Sequence, residues 1–236
     1  MSKPKKIKIS LCLIVRNERK SSEVIFPQIP QKSIDEIYVI DGNSTDGTQA
    51  YFKKQGVPVY QQSQPGLGGA TVEARNRCKT DAMIFFHPDG NEDPKDIAKI
   101  ADLLRQGAEF VIPSRMIKDA RNEEDDQLLK PRKWFNQFLA FFINFIWNDY
   151  HKFNTEIVQG FRGIRCDVYD KLQLNRTDLT IDFQMVIRAL KHKVKITEFP
   201  TIESDRLFGE TTFGSLSTGV KELEMLHQEI VDPSTY

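Results

Sequence analysis

AMIFFHPDGNEDP, residues Ala82 to Pro94, opens as an unbroken apolar run and closes in acidic and turn-forming residues. Five consecutive apolar side chains suit a strand buried on both faces, as in a sheet covered by helices. Pro94 fits the first turn of a following helix, expected to run from Pro94 to Gly107. The connecting loop gathers His87, Asp89, Asn91, Glu92 and Asp93 at the end of a core strand.

The same pattern recurs on either side. IKISLCLIV (Ile7 to Val15) reads as a buried strand and runs into Arg16-Asn17-Glu18. DEIYVI (Asp35 to Ile40) is a second strand and ends at DGNSTDGT, where Ser44-Thr45-Asp46 can cap a helix from Gly47 to Lys54 that stops at Gly56. Val57 to Gln61 is a short third strand, PGLGGATVEARNRC a glycine-rich turn entering a helix, and EFVIP (Glu109 to Pro113) a fifth strand after AMIFF. Strands alternating with helices at this spacing predict an α/β fold with a mostly parallel, Rossmann-like central sheet and helices on both faces. Ligands in such sheets bind beyond the carboxyl ends of the strands, where three of these polar clusters fall.

The second half is less regular. Lys118 to Lys133 is highly charged and reads as a loop, Trp134 to Trp147 as an aromatic helix, and Val158 to Arg165 as a strand. Ile181 to His192 has helical periodicity, Val194 to Phe199 forms a last strand, and after a loop through Phe213 a helix runs near Val220 to Ile230. No repeat or flexible linker divides the chain, so residues 1–236 read as one domain.

The 33 basic and 33 acidic residues cancel, so no global field draws the protein to nucleic acid. Cys12, Cys78 and Cys166 are scattered and lack metal-ligand spacing, which favours reduced thiols in a cytoplasmic protein. No signal peptide is evident, and the longest apolar run, Phe138 to Trp147, is about half the ~20 residues needed to cross a bilayer. Core packing and an interfacial membrane helix both fit that run, in which Gln137, Asn144 and Asn148 share a polar side.

Glu18, Asp41 and Asp89 converge on one crevice. Each acid alone could serve a turn or cap, but three together repel unless a cation or hydrogen-bond donors neutralise them. A hard divalent cation with bound phosphates would do so, because such ions take few protein oxygens. GLGGA (Gly66 to Ala70) offers backbone N–H groups at a helix start, although it lacks the Lys and Ser/Thr of an ATPase loop. Arg115 and Arg206 follow strands near the same crevice, where guanidinium forks suit phosphate.

In order, IVRNE (Ile14 to Glu18), VIDGNSTDGT (Val39 to Thr48), PGLGGA (Pro65 to Ala70), HPDGNEDP, PSR (Pro113 to Arg115), QGFRGIR (Gln159 to Arg165) and EFPTIESDRLFGET (Glu198 to Thr211) resemble family 2 glycosyltransferases of the GT-A fold. The likeness is strongest to dolichyl- and polyprenyl-phosphate sugar synthases and spans residues 7 to 213. It implies a nucleotide-sugar-binding half, residues 1–115, and an acceptor-binding half with the C-terminal helix, residues 116–236. The donor side is then expected from Arg16, Glu18, Asp41, Asn43, Gly68, Gly69 and His87, with Asp41 at the nucleotide base. Asp89, His87 and Asn91 would hold Mn²⁺ or Mg²⁺. Asp89, Arg115, Arg206 and Glu156 form the expected catalytic set, and Arg132, Arg162 and Gln159 the acceptor side.

The implied reaction moves a sugar from a nucleoside-diphosphate sugar to a polyprenyl phosphate, at the inner face of a membrane and within cell-envelope polysaccharide synthesis. A glycan or lipopolysaccharide-type hydroxyl acceptor is the alternative. It would need a base, for which Glu156 is the candidate with Asp182 behind it. His87 departs from the family pattern by standing where its metal motif has a first Asp, which leaves open a weakened nucleotide-sugar binder. The lack of a C-terminal membrane span would have a lipid acceptor met at the membrane surface.

Overall fold

The computed structural model describes residues 7–122, 124–125, 129–148, 152–209 and 215–232, with the side chains of 215 and 216 excepted. Its strands are β1 (Ile9–Val15), β2 (Glu36–Asp41), β3 (Val59–Gln61), β4 (Ala82–Phe86), β5 (Phe110–Ser114), β6 (Arg162–Arg165) and β7 (Ile196–Pro200). They form one sheet in the order β3-β2-β1-β4-β6-β5-β7. Pairings are parallel except at β6, which runs antiparallel to β4 and β5. In register, Val15 pairs with Asp41 and Leu13 with Phe86, so the loops leaving β1, β2 and β4 emerge along one edge.

The helices are α1 (Arg19–Ile25), α2 (Thr48–Lys54), α3 (Leu67–Arg77), α4 (Asp96–Arg105), α5 (Pro131–Trp147), α6 (Cys166–Lys171), α7 (Ile181–Lys191) and α8 (Ser215–Val231). Strand alternation divides the core between the two faces of the sheet. Ile9, Leu11, Leu13 and Val15 pack with Ile97, Ile100 and Leu104 of α4 and with Phe52 of α2. Cys12, Met83, Phe85 and Ile164 face the other way, toward Ala70 and Ala74 of α3, Leu139 and Ile143 of α5, and Phe183 of α7.

Several expectations shift. α1 and α6 were not foreseen, because RKSSEVI and CDVYDK are short and carry no strong apolar period. β6 covers only Arg162–Arg165 of the strand expected from Val158. α5 begins at Pro131, inside the segment read as a charged loop, of which residues 123 and 126–128 lie outside the described residues. The end of the loop through Phe213 lies outside them too, and α8 starts at Ser215. Asn144 is buried rather than on a polar side: its amide bonds Ala140 O, Asn154 O and Asn154 N and so clamps the chain after α5. The three scattered cysteines all lie free and buried, with the Sγ atoms of Cys78 and Cys166 3.4 Å apart.

α4 lies directly on the backbone of β6. A Cβ added to Gly163 would stand 2.2 Å from Ile100 Cγ2 and 3.0 Å from Leu104 Cδ1. Gly163→Ala is therefore expected to destabilise the fold by about 1–3 kcal/mol through overpacking. Urea unfolding measures this, and an unchanged midpoint would contradict the packing described.

Candidate active site

A cleft of about 340 Å³ opens at the carboxyl edge of the sheet. Its floor is the loop after β4. Segment 204–207, which follows β7, lies along that loop through Ser204 N to Asn91 O at 2.9 Å and Leu207 N to Asp89 O at 3.0 Å. Gly90 permits the approach, with φ of +99° and Leu207 Cγ 2.5 Å from where a Cβ would stand. This pairing sets Arg206 between two acids. Its Nη1 meets Asp89 Oδ2 at 3.2 Å and its Nη2 donates to Glu18 Oε1, while the buried Nε has no partner. Burial raises the Glu18 carboxyl above its ordinary range, Arg206 opposes that, and Asp89 adds to it.

His87 receives Glu92 at its ring, Nδ1 to Oε1 at 3.5 Å, and its backbone N–H donates to Glu92 Oε2 at 3.1 Å. Burial alone would lower its pKa, but Glu92, Asp89 and Asp182 together raise it to about 9. Glu92 thus occupies the Nδ1 side of the ring, and His87 lines the cleft together with Asp89 and Asn91.

Arg115 is the second bridged arginine. It grips Glu156 with two donors, Nε to Oε2 at 2.9 Å and Nη2 to Oε1 at 3.0 Å, and Glu203 with Nη1 at 2.6 Å. Glu203 is held in turn by Asn122 Nδ2 at 3.1 Å. Burial would raise the Glu156 carboxyl, yet Arg115 keeps it below its ordinary value. Glu156 is 0% exposed and locked to a guanidinium, an arrangement that suits a structural partner of Arg115 better than a proton acceptor. Asp182, at the start of α7, lines the cleft, and burial raises its carboxyl against the pull of Arg162 and His87.

Other expected residues divide between cleft and scaffold. Arg132 and Gln159 line the cleft, and Arg132 is held by Glu124 at 3.1 Å. Arg162 is 0% exposed and lies beneath the cleft, donating to Gln159 O and to Asp182 O at 2.9 Å. It positions those residues and does not reach an acceptor. Gly68 and Gly69 donate their N–H groups to Asp178 O and Thr177 O, and the backbone of 176–177 lies where a Gly68 Cβ would be and that of Gln64 where a Gly69 Cβ would be. Close chain packing, not phosphate, explains these two glycines. Arg16 is exposed beside Gly42 and does not line the cleft. Asn43 adopts φ of +63° and accepts from Gln61, so its role is in the turn. Asp41 is buried, its Oδ2 taken by Ser44 N and Gln49 Nε2, its Oδ1 without a partner.

Glu222 of α8 was missed altogether. It lines the cleft at 4% exposure, and burial alone raises its carboxyl from 4.5 to about 7. The signal was present in the stripe Glu222, Met225, Leu226 and Glu229, a helical period whose apolar centre marks the buried face.

The profile of glycosyl transferase family 2 matches residues 12–173, from within β1 past the end of α6. The chain belongs to that family and is a glycosyltransferase, as its motifs led us to expect. It is 26% identical over 216 residues to the UDP-N-acetylglucosamine–dolichyl-phosphate N-acetylglucosaminyltransferase of Methanococcus voltae, covering 81% of this chain and 84% of that one. It is 25% identical over 213 residues to the dolichol-phosphate mannosyltransferase of Pyrococcus furiosus, covering 87% of this chain but 59% of that protein. In fold it resembles the glucosyl-3-phosphoglycerate synthase of Mycobacterium tuberculosis, solved with Mn²⁺, UDP and phosphoglyceric acid. The TM-score is 0.75 at 16% identity, over 96% of this chain and 80% of that one.

Because the folded state binds the Glu222 proton more tightly than the unfolded chain does, stability falls as pH rises from 4.5 to about 7. The full loss is about 3 kcal/mol. Glu222→Gln is expected to melt higher than the wild type at pH 8 and to converge with it near pH 4. A difference in melting temperature that stays constant across that range would contradict the burial described.

Proposed function

We propose that this glycosyltransferase moves a sugar from a nucleotide-sugar donor to a polyprenyl phosphate at a membrane surface. The observation that carries this reading is the pair of arginines, Arg206 and Arg115, each set between carboxylates in one cleft. Support for the donor comes from Asp41, whose buried, unpartnered Oδ1 fits a ring N–H of a nucleotide base. The UDP named for the M. voltae relative makes uracil the first base to test.

The diphosphate would lie between Asp89 and Arg206. Among the described residues no group of three or more His, Cys, Asp or Glu side chains is placed to hold a metal. Asp89 and the Asn91 amide can supply protein oxygens only to an ion that takes its remaining ligands from diphosphate and water, which suits Mg²⁺ or Mn²⁺. When bound, such an ion neutralises charge developing on the departing nucleoside diphosphate. Arg206 faces the same charge, and a preorganised cation of this kind stabilises it without reorganising.

Arg115 uses three of its five N–H hydrogens on Glu156 and Glu203, which leaves two for an acceptor phosphate. Arg132, 47% exposed at its side chain, borders the same space. A phosphate acceptor is already anionic and needs no base. The reading of a saccharide hydroxyl as acceptor draws on Asp182, which lines the cleft and takes the place first given to Glu156.

α5 links the cleft to a membrane. Its inner face supplies Phe135 and Asn136 to the cleft, while Trp134, Phe138, Phe141 and Phe145 lie exposed on its outer face, Phe145 at 80%. Lys130, Arg132 and Lys133 stand at its start. An aromatic face beside basic residues suits the headgroup boundary. Among the described residues no helix is long and apolar enough to cross a membrane.

Asp89→Asn is expected to lower transfer of radiolabelled sugar to polyprenyl phosphate by about 100-fold or more; a wild-type rate would remove the diphosphate site. Asp182→Asn separates the two acceptors: a loss under about tenfold fits a phosphate, and a loss of about 1,000-fold fits a hydroxyl that needs a base. The double change Phe141→Ser and Phe145→Ser is expected to reduce co-sedimentation with anionic phospholipid vesicles and to leave nucleotide binding intact. Undiminished sedimentation would take α5 off the membrane.

A further inference from the structure

Two carboxyls of α8 lie on one buried stripe and are treated differently. Glu229 is held by Gln184 Nε2 at 2.8 Å, Arg188 Nε at 2.9 Å and Lys191 Nζ at 2.9 Å. Glu222, two turns earlier and 4% exposed, has no hydrogen bond or ion pair among the described residues. A buried polar group without a partner is costly, so such a group in a cleft wall is a candidate for a partner that arrives with a ligand.

The surroundings of Glu222 define that ligand. The cleft that Glu222 lines is also lined by Thr218 of the same helix, Asn136 and Phe135 of α5, Leu179, and Asp182 of α7. Lys133 and Arg132 of α5, which line the cleft, and Lys221 of α8 are paired with Asp125, Glu124 and Asp178 respectively. A hydroxyl, an amide, a carboxyl and an aromatic ring together match a ring that bears hydroxyls. They do not match a phosphate, which a carboxylate would repel. Arg206 and Arg115 are engaged by Glu18, Asp89, Glu156 and Glu203, and neither arginine pairs with Glu222.

We propose that Glu222 hydrogen-bonds a hydroxyl of the hexose being transferred and is a specificity-determining residue for the donor sugar. A carboxyl that exchanges its proton near neutrality both donates and accepts, as a sugar hydroxyl does. Thr218 and Asn136 complete the contact from the same wall. The assignment rests on the nucleotide-sugar reading of the cleft.

The test is a titration of the wild type, Glu222→Gln and Glu222→Leu with UDP, UDP-glucose, UDP-N-acetylglucosamine, GDP and GDP-mannose. The expected result is that Glu222→Leu binds the parent nucleotide as the wild type does but binds the preferred nucleotide sugar about tenfold more weakly, with Glu222→Gln between. The order of preference among the sugars should also flatten. Equal loss for nucleotide and nucleotide sugar, no loss for any sugar, or a change confined to the acceptor KM overturns the proposal while leaving the cleft's wider reading in place. A wild type that binds none of the five overturns both.

Discussion

Arg206 lies across Glu18 and Asp89, and by doing so ties the loop after β1, the loop after β4 and the segment after β7 into one site. Two carboxylates facing one crevice would repel each other, and burial already raises Glu18. The guanidinium between them removes the repulsion at the cost of ordering segment 204–207, which the two backbone hydrogen bonds to the β4 loop and the positive φ of Gly90 secure. A diphosphate entering the cleft meets an arginine that can exchange one oxyanion partner for another. A divalent ion entering it must share Asp89 with that arginine. The cleft is thus built around an ion pair that any ligand of Asp89 or Arg206 has to rearrange.

Arg115 repeats the device between Glu156 and Glu203. Glu156 is fully buried beneath it and Glu203 stands beside it, so the cluster carries one net negative charge before any ligand arrives. Removing one partner of such a buried set leaves an uncompensated charge, typically costing about 3–5 kcal/mol. The two arginines therefore hold the cleft in shape and also keep N–H donors at its wall. Both tasks fall on the same side chains because the residues come from loops, where little else fixes their geometry. Arg162 does the corresponding work below, fastening Gln159 and the start of α7 through main-chain carbonyls.

The parts of this arrangement visible in the sequence are those governed by local chemistry. Apolar β-branched runs marked β1, β2 and β4, and the acids and turn residues after them marked the edge where the cleft opens. The antiparallel direction of β6 was not visible, because RGIR is four residues long and its direction depends on pairing with β4 and β5 far along the chain. Gly68 and Gly69 looked like a phosphate cradle because a glycine-rich turn has the same appearance whether a ligand or a neighbouring chain segment approaches it; here residues 176–178 do. Glu156 looked like a free acid because its partner is 41 residues away. Glu222 drew no reading because KELEML alternates charged and apolar residues, and only the packing of α8 turns its stripe with Met225 and Leu226 inward.

A crystal structure of the protein with UDP and Mn²⁺ tests the central claim most directly. The uracil ring is expected against Asp41 Oδ1 and the diphosphate between Asp89 and Arg206, with the Glu18 to Arg206 contact loosened or replaced. A nucleotide bound away from Asp41, or a diphosphate that touches neither Asp89 nor Arg206, would contradict it.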